Sequence, residues 1–274
     1  MSTDTVDNAA PSPAGEAGAA ALPPLYSKPV LIDAQKHASL SLKENGGYAF
    51  ARSANVMMVN AIEFAAAARH YPIVFAGGDN PAPVVVLGMR AGQNLFVEPD
   101  GSWRRGAYVP AYARRYPFIF AESPDKSKLG LCIDQDSDLL AESDVRPLFR
   151  NGERTPVLEQ ALAFSTAFQR ELERTRAFTD ALKSQGLLRD NRANIKMATG
   201  EQLSVTGFQV IDEAKFNALP DDIFLDWRRK GWLTLAYCHL LSTGSWVELI
   251  DQQADRSITE AGHAGAQMET DHAA

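Results

Sequence analysis

The side chains best equipped to bind or react lie close together in one stretch of this 274-residue chain. Between Trp103 and Tyr116, cations alternate with rings: Trp103-Arg104-Arg105, then Tyr108 and Tyr112, then Arg114-Arg115-Tyr116. A guanidinium pairs with anions through a planar fork and stacks on aromatic faces, so this pattern suits an anionic or glycan ligand. The alternative is that one arginine of each pair forms a salt bridge and the other faces water. Two further groups could join them. Glu63 sits in an alanine-rich segment, where it either pairs with Arg69 or Arg114 or is solvated. His239 follows Tyr237 and Cys238 on an apolar segment and reads as a hydrogen-bonded core histidine. Convergence of Glu63, Arg114, Tyr116 and His239 on one pocket would support a cytoplasmic enzyme, or an accessory to one, acting on a small molecule or peptide.

One of these groups belongs to a repeated motif. Arg69-His70-Tyr71-Pro72-Ile73-Val74-Phe75-Ala76 and Arg114-Arg115-Tyr116-Pro117-Phe118-Ile119-Phe120-Ala121 share an arginine, a Tyr-Pro pair and an apolar run. Proline at the start of a strand removes a donor where the ladder has barely begun, and it favours an extended residue before it. Tyr71 and Tyr116 then either pack on the sheet with their hydroxyls at its rim or mark a duplicated ligand site. The candidate ligand contacts are Glu63, Tyr71, Trp103, Tyr108, Arg114, Arg115, Tyr116 and His239; none is assigned a catalytic role.

Known catalytic and cofactor patterns are missing. The chain has no GxxxxGK[ST], no GxGxxG after a strand and no GxSxG elbow. Its histidines, at 37, 70, 239, 263 and 272, are dispersed. His37, His70 and Glu63 could form a facial triad only if the fold gathered them, since nothing in their spacing requires it. No cofactor and no metal are expected.

Charge is unevenly placed. The net −7 comes from residues 1–24, which carry −3, and 251–274, which carry −4, leaving 26 acids and 26 bases between them. A neutral body gives no electrostatic reason to expect nucleic acid as a partner. Both ends, rich in Ala, Gly and acids, read as disordered tails. The N-terminus lacks the basic start and apolar run of a secretory signal, and no apolar run reaches the ~20 residues that span a bilayer. A cytoplasmic location follows, or an envelope association reached without such a signal. Cys132 and Cys238 sit in apolar runs without redox or metal spacing and read as buried free thiols.

The elements that must position these groups are legible in part. Short strands are expected near 30–32 and 40–42, with Tyr48 to Ala51 pairing back, then a helix over 54–70 stopped by Pro72. Ile73–Phe75 and Val84–Leu87 read as strands, Pro99-Asp100-Gly101 as a tight hairpin turn, and Phe118–Phe120 with Leu129–Ile133 as a hairpin turning through Ser123 to Lys128. Thr155 as cap, Pro156 at the first turn and Gly186 beyond the end bound a long helix over about 155–184, with Phe164, Phe168, Thr175, Phe178 and Leu182 on its core face. A hairpin follows over 195–211, then short helices from Asp212 to Pro220, 221–230 and 233–242, with Gly231 as a stop. The fold class is α+β: mainly antiparallel β-hairpins packed with the long helix and a C-terminal group of short helices. Residues 25–250 read as one domain, β-rich to 150 and helix-rich after it.

The ordered string Glu63-Phe64, Tyr71-Pro72-Ile73-Val74-Phe75, Leu87-Gly88, Asn94-Leu95-Phe96, Gly101-Ser102-Trp103, Tyr108-Val109-Pro110 and Arg114-Arg115-Tyr116-Pro117-Phe118 resembles the bacterial SapC family. So do Leu131-Cys132-Ile133-Asp134, Gly207-Phe208, Ile211-Asp212-Glu213, Gly231-Trp232-Leu233 and Tyr237-Cys238-His239-Leu240. That family takes its name from a protein associated with a crystalline surface layer, and it brings no catalytic residues to carry over. It is distinct from a peptide-transport permease of the same short name, which needs several spanning helices. The absence of nucleophile, metal and cofactor motifs, with the aromatic and arginine-rich stretch over 103–116, points to a non-catalytic binding or envelope-associated accessory protein with a protein, peptide or glycan partner.

Overall fold

A computed structural model describes residues 6–9, 22–78, 80–122, 129–197 and 200–272, with side chains for all of these except 6–9, 122 and 259–272. The turn expected over Ser123 to Lys128 and most of the N-terminal tail lie outside the described residues. In chain order the elements are β1 (Val6–Ala9), β2 (Pro29–Leu31), β3 (Leu40–Leu42), β4 (Val56–Met58), α1 (Phe64–Ala67), β5 (Ile73–Ala76), β6 (Pro83–Val86), α2 (Ala111–Arg114), β7 (Phe118–Glu122), β8 (Leu129–Asp134) and β9 (Leu140–Glu142). They continue with β10 (Phe149–Arg150), β11 (Glu153–Arg154), α3 (Pro156–Ser184), β12 (Leu188–Lys196), β13 (Gln202–Ile211), α4 (Glu213–Asn217), α5 (Asp221–Lys230), α6 (Trp232–Ser242) and α7 (Ser245–His272). The architecture is α+β.

Among the described residues the largest sheet has six strands, in the order β1-β13-β5-β6-β4 with β12 also on β13. All its pairings are antiparallel except β1 with β13. A second sheet, β2-β8-β7, is antiparallel throughout. Each copy of the repeated motif leads into a different sheet, the first into β5 and the second into β7. Pro72 and Pro117 stand immediately before those strands, where no ladder donor is needed. Strand β13, from the C-terminal half, pairs with β5 through Phe208↔Ala76 and Gln209↔Phe75. One apolar core therefore draws on both halves, from Tyr26 through Phe64, Tyr71 and Phe178 to Leu249.

Helix α3 runs as its sequence predicts. Pro156 occupies the first turn, Gly186 adopts φ +63° beyond the end, and Phe168, Thr175, Phe178 and Leu182 are buried. Thr155 does not cap through its side chain; its hydroxyl donates to the Pro147 carbonyl at 2.6 Å, tying the helix start to the segment that leads into β10. Asp212 caps α4 by accepting the Lys215 N–H at 3.2 Å. Gly231, at φ +75°, separates α5 from α6 in the left-handed conformation that only glycine adopts without strain.

Two expectations need correction. Residues 54–70 are not one helix: Val56–Met58 forms a strand against Val84–Val86, and Asn60 then starts a new short turn leading into α1. Four alanine-rich residues are too few to nucleate a helix alone, while an apolar β-branched neighbour strand offers Val56–Met58 a full ladder. Tyr48 to Ala51 makes a single 3₁₀ turn rather than a returning strand. Among the described residues near the chain ends, 6–9 pair with β13, and α7 runs to His272, with Gln253 fully buried and Ser257 accepting from Arg90 at 3.3 Å. The i, i+3, i+4 spacing of Trp246, Leu249, Ile250 and Gln253 supplies the inward face that drives this last helix.

Candidate functional site

The nominated residues divide into a buried polar junction, a surface pocket and an isolated histidine. Glu63 is the centre of the junction. It is only 4% exposed, so its carboxylate must find partners inside the protein. Its Oε2 accepts the Asn60 N–H at 2.9 Å, and its Oε1 accepts the Tyr108 hydroxyl at 2.9 Å and the Ala111 N–H at 2.7 Å. It is neither solvated nor paired directly with arginine, because backbone amides and a phenol saturate it first. Arg114 reaches it at one remove, donating Nη2 to the Tyr108 hydroxyl at 3.1 Å. The segment Asn60-x-x-Glu63 has the form of a capping box, a sequence signal that could have placed Glu63 at a turn start.

Tyr108 ties the two copies of the motif together. Its hydroxyl takes the Arg114 donor from the second copy, and its carbonyl accepts the Tyr71 hydroxyl from the first. Trp103 Nε1 donates to the Tyr71 oxygen at 3.0 Å. Burial and the neighbouring Glu63 charge push the Tyr108 hydroxyl up to about 12, so it stays a donor. Burial raises Tyr71 as well. Tyr71 is fully buried, so it belongs to the packing of the sheet rather than to an exposed site.

The second copy reaches a surface pocket through Arg114 and Tyr116. Arg114 and Tyr116, with Lys43, Glu44, Tyr48 and Phe50, line a surface pocket of about 210 Å³ at the Asn45-Gly46-Gly47 turn. Neither Arg69 nor Tyr71 lines it, so the two copies do not share a cleft. Phe50 stacks on Tyr116 with centroids 4.1 Å apart, and the Tyr116 hydroxyl donates to Asp134 Oδ2 at 3.0 Å. Burial, with the Asp134 carboxylate as acceptor, lifts Tyr116 to about 12. Arg115 turns away: its guanidinium lies 4.2 Å from the Tyr112 ring and 4.3 Å from the Phe168 ring, making it a stacking link to α3. Arg104 pairs with Glu98 at 3.1 Å and stacks over Phe96. Arg104 and Arg115 of the cation-rich stretch are thus used within the fold, while Arg105 and Arg114 are exposed, and of these two Arg114 lines the pocket.

Asp134 was not among the nominated residues, yet it is fully buried and heavily bonded. It accepts the Lys28 N–H at 2.6 Å, the Ser27 N–H at 3.1 Å and the Ser27 hydroxyl, besides Tyr116. Burial alone would raise its carboxyl, but these hydrogen bonds outweigh burial and hold it below the usual carboxylate range. No local pattern announces this role, because Ser27 and Lys28 come from more than 100 positions upstream.

His239 stands apart. It is fully buried on α6, where Nε2 accepts the Ile211 N–H of β13 at 3.0 Å and Phe75 packs 5.1 Å away. Burial lowers its pKa to about 4, so it is neutral. It does not line the Arg114 pocket, and the four residues of the enzymatic reading do not converge. His37 accepts the Asp33 N–H at 3.0 Å, away from Glu63. Among the described residues, no three of His, Cys, Asp and Glu come together as a ligand set. Cys132 and Cys238 are free thiols, one buried and one half-buried, with burial raising both. No helix among the described residues is long and apolar enough to cross a membrane.

No curated protein and no solved structure matches the chain. The SapC family profile matches residues 32–249, a span that contains the Glu63 junction, both Tyr-Pro segments, Asp134 and His239. The protein therefore belongs to the SapC family.

Proposed function

We propose that the protein is a non-catalytic binding protein, an accessory of the bacterial envelope or surface layer, that recognises an anionic group on its partner through the Arg114 pocket. The observation that supports this reading is the contrast between the polar groups. Glu63, Asp134 and His239 are buried, whereas Arg114 is exposed: its guanidinium is oriented by the Val109 carbonyl and the Tyr108 hydroxyl, and with Lys43 and Glu44 it lines an open pocket beside the rings of Tyr48, Phe50 and Tyr116. Cations beside aromatic faces suit acidic peptides and anionic glycans alike. The surface-layer setting rests on the protein after which the family is named.

The test is retention of acidic peptides and anionic glycans by the immobilised protein, compared with Arg114→Glu. At least tenfold weaker retention by the variant, with its native circular dichroism kept and the same loss in Lys43→Glu, supports the reading. Equal retention by both proteins, or none by either, overturns it. Covalent change in a retained ligand, seen by mass spectrometry, would favour the enzymatic alternative.

A further inference from the structure

A second cavity, of about 480 Å³, lies on the other side of Phe50 from the Arg114 pocket and has a different chemistry. Tyr26, Phe50, Met57, Val84, Tyr112 and Phe208 supply most of its wall, and none of its sixteen lining residues carries a formal charge. The few polar groups are largely committed. Tyr26 donates to the Phe118 carbonyl at 2.7 Å, Tyr112 to the Pro24 carbonyl at 2.8 Å, and the Ser27 hydroxyl to Asp134. Ser53 and Asn55 also line the cavity, and no hydrogen bond engages their side chains among the described residues.

Size and polarity together restrict the occupant. A dry cavity of roughly 150 Å³ is enough for benzene. This one offers about three times that space, more than one aromatic side chain of a bound peptide would fill. It falls within the roughly 300–1,000 Å³ of small-molecule sites, which are mostly apolar with a few placed polar groups. An ionised ligand would lose its hydration with no counter-charge on the wall.

One side of the cavity is closed by residues 22–28, a strap that precedes the first strand of the smaller sheet. Pro24, Leu25, Tyr26 and Ser27 all face the cavity. The strap is attached at separate points: Tyr112 holds the Pro24 carbonyl, the buried Tyr26 donates to the Phe118 carbonyl, Asp134 holds the Ser27 and Lys28 amides, and the Gln135 N–H holds the Lys28 carbonyl. Leu25 adopts φ +75°, a left-handed conformation that is strained for a side chain of this size and that clusters at ligand clamps and switch regions.

We propose that this cavity binds an uncharged, mainly apolar small molecule with one hydroxyl- or amide-type end directed at Ser53 and Asn55, admitted by displacement of the strap 22–28. This site is separate from the Arg114 pocket and does not depend on the function proposed for it.

Titration with the neutral fluorophore N-phenyl-1-naphthylamine tests the site, with the sulfonated 1-anilinonaphthalene-8-sulfonate as the charged counterpart. The expected result is saturable one-to-one binding of the neutral probe and at least tenfold weaker binding of the anionic one. Ala82→Phe, which fills the cavity, weakens the neutral probe at least tenfold; Ala54→Phe serves if that variant unfolds. Asp134→Asn loosens the strap and speeds probe association severalfold in stopped flow. Absence of saturable binding, equal affinity for both probes, or indifference to both filling variants overturns the site. An unchanged association rate in Asp134→Asn overturns the role of the strap.

Discussion

Glu63 shows how a charge can be carried into the interior without a cation beside it. Three donors converge on one carboxylate, and replacing it with an amide removes the charge and sets an N–H₂ against at least one of them. Glu63→Gln is expected to cost about 2 kcal/mol in urea unfolding, and Tyr108→Phe about 1 kcal/mol. The two effects fall short of additivity because they act on one network. His239 gives a pH signature of its own. Its folded pKa of about 4 lies below the ordinary 6.5, so the unfolded chain takes up the proton first and stability falls as pH drops through that window. Wild-type protein should lose roughly 2 kcal/mol between pH 7 and pH 5 from this group, a loss absent in His239→Gln. Equal pH dependence in the two proteins would show that the ring is not held neutral.

At the level of elements, the parts with strong local signals were legible and those that depended on distant partners were not. Thr155-Pro156 and Gly186 bracket α3 to within a residue, and Asp212 and Gly231 mark helix ends where the backbone needs a cap or a left-handed residue. Gly231→Ala places a side chain at φ +75° and should cost about 1 kcal/mol, read from the denaturation midpoint. Residues 54–70 misled because alanine favours a helix locally, while Val56–Met58 answers to β6, some 28 positions away. The site followed the same rule. Tyr71, Tyr108, Arg114 and Glu63 were nominated by type, and the fold does join them. Asp134 and the strap it holds were invisible, since Ser27 and Lys28 meet it only after β2 docks on β8.

At the scale of the whole molecule, β13 binds the two halves of the chain into one sheet and α7 closes over the loop after β6. Ending the chain at Ile250 removes Ala254, which packs on the core, and the Arg90–Ser257 hydrogen bond. That truncation should lower stability by on the order of 2 kcal/mol relative to one ending at Ile258. Comparable midpoints would mean that residues 251–258 of α7 contribute nothing. The Glu63 junction spans the remaining gap, between the large sheet and the segment leading to the small one. Its Ala111 amide is the first of α2, and it bonds to a carboxylate from the other side of that gap rather than to a helical carbonyl. Its proton can exchange with deuterated water only when Glu63 and α2 part. Slow exchange at Ala111, faster in Glu63→Gln and tracking no other α2 amide, would make this one hydrogen a clock for the separation of the two sheets.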